Sequence, residues 1–219
     1  MTHNTQPDGF FALPASGSGA GILVLHAWWG LNETVKHVCT RLTEVGFVAF
    51  APDLYRGAVA DEIAHAETLS SALFSRIDQA RVDVAAATAF LRGHASQTSD
   101  GLAVVGFSLG AFFALDVSVS APETIRSVVT FYGTRPGEYE RSRAEYLAHF
   151  AEVDEFEPAS EVEALREALS RAGRPATFYQ YPGTGHWFFE PDRHQAYHPM
   201  AAELAWERTV AFLKHSPTA

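Results

Sequence analysis

Short apolar runs alternate along the chain with longer segments whose apolar residues recur at helical spacing. Five runs read as strands: Gly21–His26 (GILVLH), Phe47–Ala51 (FVAFA), Leu102–Phe107 (LAVVGF), Ile125–Phe131 (IRSVVTF) and Ala176–Tyr181 (ATFYQY). Apolar residues at consecutive positions suit strands covered on both faces. A weaker strand is expected at Leu147–Ala151, and the amino-terminal FFAL offers an edge strand. Asn32 is placed to cap a helix through Glu44 whose Val35, Val38, Cys39 and Leu42 share one face, with Gly46 ending it. Further helices are expected over Asp61–Phe74, Arg76–Arg92, Leu109–Ser120, Ser160–Arg171 and Ala201–His215. This alternation predicts an α/β fold, a mostly parallel, doubly wound sheet with helices on both faces.

The chain has 219 residues and no repeat at a 20–50-residue period, so residues 1–219 are expected to form one domain. The most loop-like internal stretch, Gly133–Glu145, reads as a surface excursion.

Charge narrows the possible partners. The 16 basic and 26 acidic residues leave a net charge of −10, which repels phosphate backbones and anionic lipid. Neither nucleic acid nor membrane is therefore an expected partner. No apolar run approaches the roughly 20 residues of a membrane span, and the start MTHNTQPDGFFALP lacks the pattern of a signal peptide. A soluble, cytoplasmic protein is expected, as a monomer or small homo-oligomer. Cys39 is the single cysteine and cannot form an internal disulfide. On the apolar face of its helix it reads as a buried structural residue rather than a nucleophile.

The strongest chemical signal is Gly106-Phe107-Ser108-Leu109-Gly110, where an apolar strand gives way to a helix. That context suits a nucleophile elbow, in which the glycines relieve crowding around a strained serine. The helix amino terminus places the Leu109 N–H beside Ser108, where it can stabilise an oxyanion. A serine nucleophile needs a base, and on this architecture the acid precedes the histidine in the chain. His186, in Tyr181-Pro-Gly-Thr-Gly-His-Trp, follows the last strong strand, and its glycines let a loop carry the imidazole over the sheet edge. Asp154 follows an earlier strand end and is the leading acid, with Glu152, Glu155 and Glu157 as competitors. Asp116 falls within a helix and suits the role less well. A second oxyanion donor is expected from the loop His26-Ala-Trp-Trp-Gly-Leu-Asn. His26 itself reads as a hydrogen-bonded core residue.

Two other chemistries fit less well. His186, His194 and His198 could be imagined around a metal, but Pro199 is expected to break a helix there, and no carboxylate stands at ligand spacing. The glycines of Ala15-Ser-Gly-Ser-Gly-Ala-Gly precede a strand, unlike those of a phosphate cradle.

The chain resembles the dienelactone hydrolase family of α/β-hydrolases from about Gly21 to the last helix. The resemblance rests on His26-Ala-Trp-Trp-Gly-Leu-Asn, Ala51-Pro-Asp-Leu-Tyr-Arg-Gly, Gly106-Phe-Ser-Leu-Gly-Ala, Asp154-Glu-Phe-Glu-Pro and Tyr181-Pro-Gly-Thr-Gly-His. It implies a triad of Ser108, Asp154 and His186, with oxyanion donors at the Leu109 and Trp28 backbone N–H groups. Well-known members carry cysteine at the position of Ser108, glutamate at that of Ala27, and a substrate-binding arginine at that of Glu190. Serine at position 108 makes His186 the general base. A glutamate at position 190 is expected to repel an anionic substrate, so a small neutral ester should react faster than its carboxylate-bearing counterpart. A preference for the anion would point instead to Arg56, Arg76 or Arg193. Trp29, Phe112, Trp187 and Phe188 are expected to wall the pocket, and no metal or organic cofactor is implied. The expected function is hydrolysis of a small carboxylic ester or lactone. The alternative is a non-catalytic binding or scaffold protein on the same fold.

Overall fold

The computed structural model describes residues 6–96 and 101–215. The strands are β1 (Gly9–Ala12), β2 (Gly21–Leu25), β3 (Val48–Pro52), β4 (Leu102–Phe107), β5 (Ile125–Phe131), β6 (Glu145–Ala151) and β7 (Ala176–Tyr181). The helices are α1 (Glu33–Glu44), α2 (Ile63–Phe74), α3 (Ile77–His94), α4 (Leu109–Ser120), α5 (Ala159–Arg171) and α6 (Pro199–His215). One seven-stranded sheet runs β1-β3-β2-β4-β5-β6-β7. Among the described strands only β1 is antiparallel, pairing with β3 from Gly9↔Pro52 to Ala12↔Ala49.

Alternate strand residues feed the two faces of the sheet, because successive side chains point in opposite directions. Leu23, Leu25, Leu102 and Val104 pack towards α3, α4 and α5. Ile22, Val24, Ala103 and Val105 pack towards α1 and α6. Burial on both sides explains why β2, β3 and β4 are apolar throughout. The chain leaves β2 towards β3 and leaves β4 towards β5, in opposite directions across the sheet. A crevice opens at the carboxyl ends of strands where the winding reverses in this way. The loops after β2 and β4 both lie there.

Several expectations need adjustment. The last helix, α6, begins two residues earlier than expected, at Pro199, where the fixed φ and missing N–H of proline are tolerated, and no helix spans His194 and His198. His198 caps that turn, its Nδ1 accepting the Ala201 N–H at 3.2 Å. The stretch before β6 is more than a surface excursion, since Tyr139, Ser142 and Ala144 are buried. Its Arg135 pairs at 2.9 Å with Asp116 of α4, which also takes Arg81 at 3.1 Å. Asp116 is therefore committed to tying α3, α4 and this segment together. Cys39 is fully buried, and burial pushes its thiol up to about 12.

Candidate active site

Ser108 sits between β4 and α4 with φ 50° and ψ −113°, a conformation costly for a residue with a side chain. Its surroundings hold it there. The Ser108 N–H donates to Phe131 O at 2.9 Å, and the flanking glycines let the backbones meet. A Cβ on Gly106 would lie 2.3 Å from Gly110 O, and one on Gly110 would lie 2.1 Å from Leu25 O and 2.7 Å from His26 O. Glycine is therefore required at both positions by close approach, not by turn geometry. The same contact seats the first turn of α4 against the end of β2. Leu109 is the first residue of α4, so its N–H has no carbonyl a turn earlier to bond. Trp28 follows His26 and Ala27 in a turn closed by Gly30 N–H donating to Ala27 O at 3.2 Å.

His26 is buried, and it locks this turn. Its Nδ1 lies 2.8 Å from Ala27 O, while Nε2 accepts the Leu54 N–H at 3.2 Å from the loop after β3. These partners select the neutral Nδ1–H tautomer. Burial holds its pKa below the usual value.

The loop after β7 brings His186 to Ser108. Thr184 braces it, with Oγ1 donating to Tyr181 O at 2.7 Å and the Thr184 carbonyl accepting the Val153 N–H at 3.2 Å. His186 Nε2 stands 2.9 Å from Ser108 Oγ. His186 Nδ1 stands 2.9 and 2.8 Å from the two carboxylate oxygens of Asp154. A carboxylate can only accept here, so Nδ1 carries the proton and Nε2 is free to accept from the Ser108 hydroxyl. The other acids after β6 are engaged elsewhere or point out to solvent. Glu152 accepts the Gly183 N–H at 2.8 Å, Glu157 accepts from Thr134 N and Oγ1 at 3.0 and 2.6 Å, and Glu155 is exposed. Burial raises the Glu157 carboxyl above its ordinary range.

Three rings box the His186 imidazole. The centroids of Tyr132, Trp187 and Phe156 lie 4.9, 5.0 and 5.1 Å from it. Trp28 reaches Phe156 at 5.8 Å. A cavity of about 460 Å³ opens beside His186, lined by Val153, Phe156, Gly185, Trp187 and Tyr197 among others. Trp187 is among the residues that line it, whereas Ser108 is not. Trp29 lies one ring behind, 5.1 Å from Trp187 and 4.1 Å beneath the Arg193 guanidinium. Phe112 packs instead on Phe74 at 5.4 Å and Phe113 at 5.4 Å. Phe188 is fully buried in the core between Tyr132 and Tyr181, so it is no wall at all. Its neighbour Trp187 takes φ 63°, which turns the two side chains to opposite fates. Phe156 and Tyr132 went unrecognised in the sequence, although Phe156 stands two residues after Asp154.

The expected repulsion by Glu190 also needs correction. Its side chain is buried, and Tyr132 Oη donates to its Oε1 at 2.8 Å. Burial pushes its carboxyl up to about 8, so near neutral pH it is largely uncharged and presents no anionic surface to a substrate. Among the proposed arginine clamps, Arg76 donates to Leu54 O at 2.9 Å and Arg193 to Asp61 O at 3.1 Å. Arg193 also pairs with Asp192 at 2.9 Å, whereas Arg56 is exposed. No helix among the described residues is long and apolar enough to cross a membrane.

The chain is similar over nearly its whole length to known proteins. The protein usf of Aquifex pyrophilus is 32% identical over 213 residues, covering 94% of this chain and 92% of its own length. A protein of Aquifex aeolicus (strain VF5), provisionally named a carboxymethylenebutenolidase, is 30% identical over the same length with the same coverage. The crystal structure of a provisionally assigned dienelactone hydrolase from Klebsiella pneumoniae subsp. pneumoniae MGH 78578 matches with a TM-score of 0.81 at 25% identity. It covers 94% of this chain and 92% of that one. The dienelactone hydrolase family matches residues 8–216, nearly the whole sequence. The chain thus belongs to the dienelactone hydrolase family, with the α/β-hydrolase fold, and is a hydrolase of ester or lactone type.

Proposed function

We propose that the protein hydrolyses small carboxylic esters or lactones through an acyl-enzyme on Ser108, with His186 as general base and Asp154 as its partner. The observation that carries this reading is the unbroken hydrogen-bonded chain from Ser108 Oγ through both ring nitrogens of His186 to Asp154. Ser108 Oγ attacks the carbonyl carbon while its proton passes to His186 Nε2. Asp154 keeps Nδ1 protonated and stabilises the imidazolium. The Leu109 and Trp28 N–H groups receive the oxyanion, a role supported by the contact of the α4 start with the end of β2. The imidazolium then protonates the leaving alkoxide. In the second half-reaction His186 deprotonates a water molecule that attacks the acyl carbon. The bond to Ser108 Oγ then breaks, and the imidazolium returns the proton to that oxygen as the acid leaves. For a lactone the leaving group stays on the same molecule, and the product is a hydroxy acid. No step requires a metal or organic cofactor.

The alternative, a binding or scaffold protein, has no observation in its favour here. A retired site has no reason to keep a strained serine aligned with a paired imidazole.

The test is hydrolysis of p-nitrophenyl acetate by the wild-type protein and Ser108→Ala. Loss of activity in the variant is expected, together with covalent labelling of the wild type alone by an organophosphate. Equal hydrolysis in both would exclude Ser108 as nucleophile.

A further inference from the structure

The end of β5 touches both the serine and the histidine of the site. Phe131 O accepts the Ser108 N–H at 2.9 Å. Two residues on, a Cβ on Gly133 would lie 2.6 Å from Ser108 O and 2.7 Å from the Ala111 Cβ, so this turn is wedged against the elbow. Between them stands Tyr132, its ring 4.9 Å from that of His186 at an interplanar angle of 57°.

Tyr132 takes φ 38°, which is unfavourable for an aromatic residue and persists only where contacts impose it. Two hydrogen bonds do so. Its N–H donates to His149 O at 2.7 Å, and its hydroxyl donates to Glu190 Oε1 at 2.8 Å. Both side chains are buried. Glu190 stands four residues after His186, and its own N–H donates to Trp187 O at 2.9 Å while its carbonyl accepts the Arg193 N–H at 3.0 Å. One compact turn therefore holds the imidazole at one end and the anchor of the ring that flanks it at the other.

Glu190 lies beside Ala27, Val35, Val38 and Phe107, together with Thr34, whose hydroxyl is given to Asp192 at 2.8 Å, surroundings in which a carboxyl is disfavoured. Simple filling of that space would be served by a leucine. What the carboxyl adds is an acceptor for the Tyr132 hydroxyl. We propose that Glu190, acting through Tyr132, is a positioning residue that holds the His186 imidazole in line with Ser108. Phe156 and Trp187 confine the imidazole elsewhere, and Tyr132 closes the box. Without the Glu190 bond the phenol loses its tether, the ring is free to leave its strained seat, and the imidazole gains room to turn away from Ser108 Oγ. The burial that raises the Glu190 carboxyl keeps it largely uncharged at neutral pH, so the tether adds little fixed charge next to the reacting groups.

This inference rests on the proposed roles of Ser108 and His186, and its test separates the two. Steady-state hydrolysis of p-nitrophenyl acetate is compared for the wild type, Ser108→Ala, Tyr132→Phe, Glu190→Leu, Glu190→Gln and the Tyr132→Phe/Glu190→Leu double variant. Misplacement of a base costs turnover rather than binding, so Tyr132→Phe and Glu190→Leu should lower kcat about tenfold with KM within about twofold. Glu190→Gln keeps an acceptor oxygen and should stay within about threefold of the wild type, a rescue that loss of packing alone does not predict. The double variant should be no slower than the slower single variant, because both changes cut one tether. Wild-type kcat in Tyr132→Phe, a Gln variant as slow as the Leu variant, or losses that multiply would each overturn the proposal. If Glu190→Leu does not fold, Tyr132→Phe decides, since it removes a single oxygen. Wild-type activity in Ser108→Ala would sink the parent reading instead, whatever the other variants do.

Discussion

Asp154 meets the His186 Nδ1 with both carboxylate oxygens, at 2.9 and 2.8 Å, and its Oδ1 also accepts the N–H groups of Phe156 and Glu157 at 3.0 and 2.9 Å. One side chain thus orients the imidazole and closes the turn that carries Phe156 to the other side of the ring. The two duties can be separated by substitution. Asp154→Asn keeps an oxygen for the turn but loses the charge that fixes the tautomer, so kcat should fall about 10³–10⁴-fold with little change in Tm. Asp154→Ala should lose as much activity and, in addition, about 1 kcal/mol of stability, on the scale of a lost side-chain cap. Equal Tm values for the two variants, measured by calorimetry, would show that the turn does not need the side-chain oxygen.

The elbow glycines make a sharper prediction. Gly110→Ala would press a methyl group onto Leu25 O and His26 O, two backbone atoms in the centre of the sheet that cannot move aside cheaply. A loss of about 3 kcal/mol or more is expected, together with loss of esterase activity, because the start of α4 must back away from β2. Gly173→Ala is the control. Gly173 ends α5 at φ 66° with no atom within 4 Å of an added Cβ, so only backbone strain of about 1 kcal/mol is at stake. Its activity should be unchanged. Comparable urea midpoints for the two variants would contradict the close-contact account.

The proposed nucleophile, acid and base could be named from the sequence because each follows an apolar strand, in that chain order, within a short polar or glycine-containing loop. The fold was readable for the same reason, since buried parallel strands leave apolar runs that helices interrupt. What escaped was everything set by contacts between distant loops. Tyr132 and Glu190 are 58 residues apart, and nothing in either local pattern announces a hydrogen bond between them. Glu190 read as a surface acid facing a substrate because its burial depends on how the loop after β7 returns under the sheet edge. Trp187 and Phe188 look equivalent as neighbours, and only the left-handed backbone at Trp187 sends one to the cavity and the other to the core.

Glu190 should leave a signature in the pH dependence of stability. Its carboxyl is raised from an ordinary 4.5 to about 8 in the folded protein. Between those values the folded state retains a proton that the unfolded chain has released, so the contribution is full below pH 4.5 and is lost as pH rises towards 8. Glu190→Gln has no such proton. Relative to the wild type it should gain stability from pH 5 to pH 9, by a few kcal/mol at most, read from urea denaturation at the two pH values. A constant difference between the two proteins across that range would mean that Glu190 ionises normally.

His149 predicts the opposite slope on the acid side. It lies fully buried between β6 and α6, with Nδ1 2.7 Å from Tyr181 Oη and Nε2 3.0 Å from Thr209 Oγ1. Burial, with a smaller contribution from Arg208, depresses its pKa to about 3. The unfolded chain takes up a proton near pH 6.5, while the folded protein resists until about pH 3. Stability from this residue is therefore complete above pH 6.5 and declines below it, by up to about 1.4 kcal/mol per pH unit. His149→Asn retains hydrogen-bonding groups but cannot titrate. It should be less stable than the wild type at pH 7, because it loses ring packing against Phe131 at 4.6 Å, yet its stability should fall less steeply between pH 6 and pH 4. Denaturant titrations at half-unit intervals give the slope directly. Parallel curves for the two proteins would place the acid sensitivity on the carboxylates and remove His149 from the account.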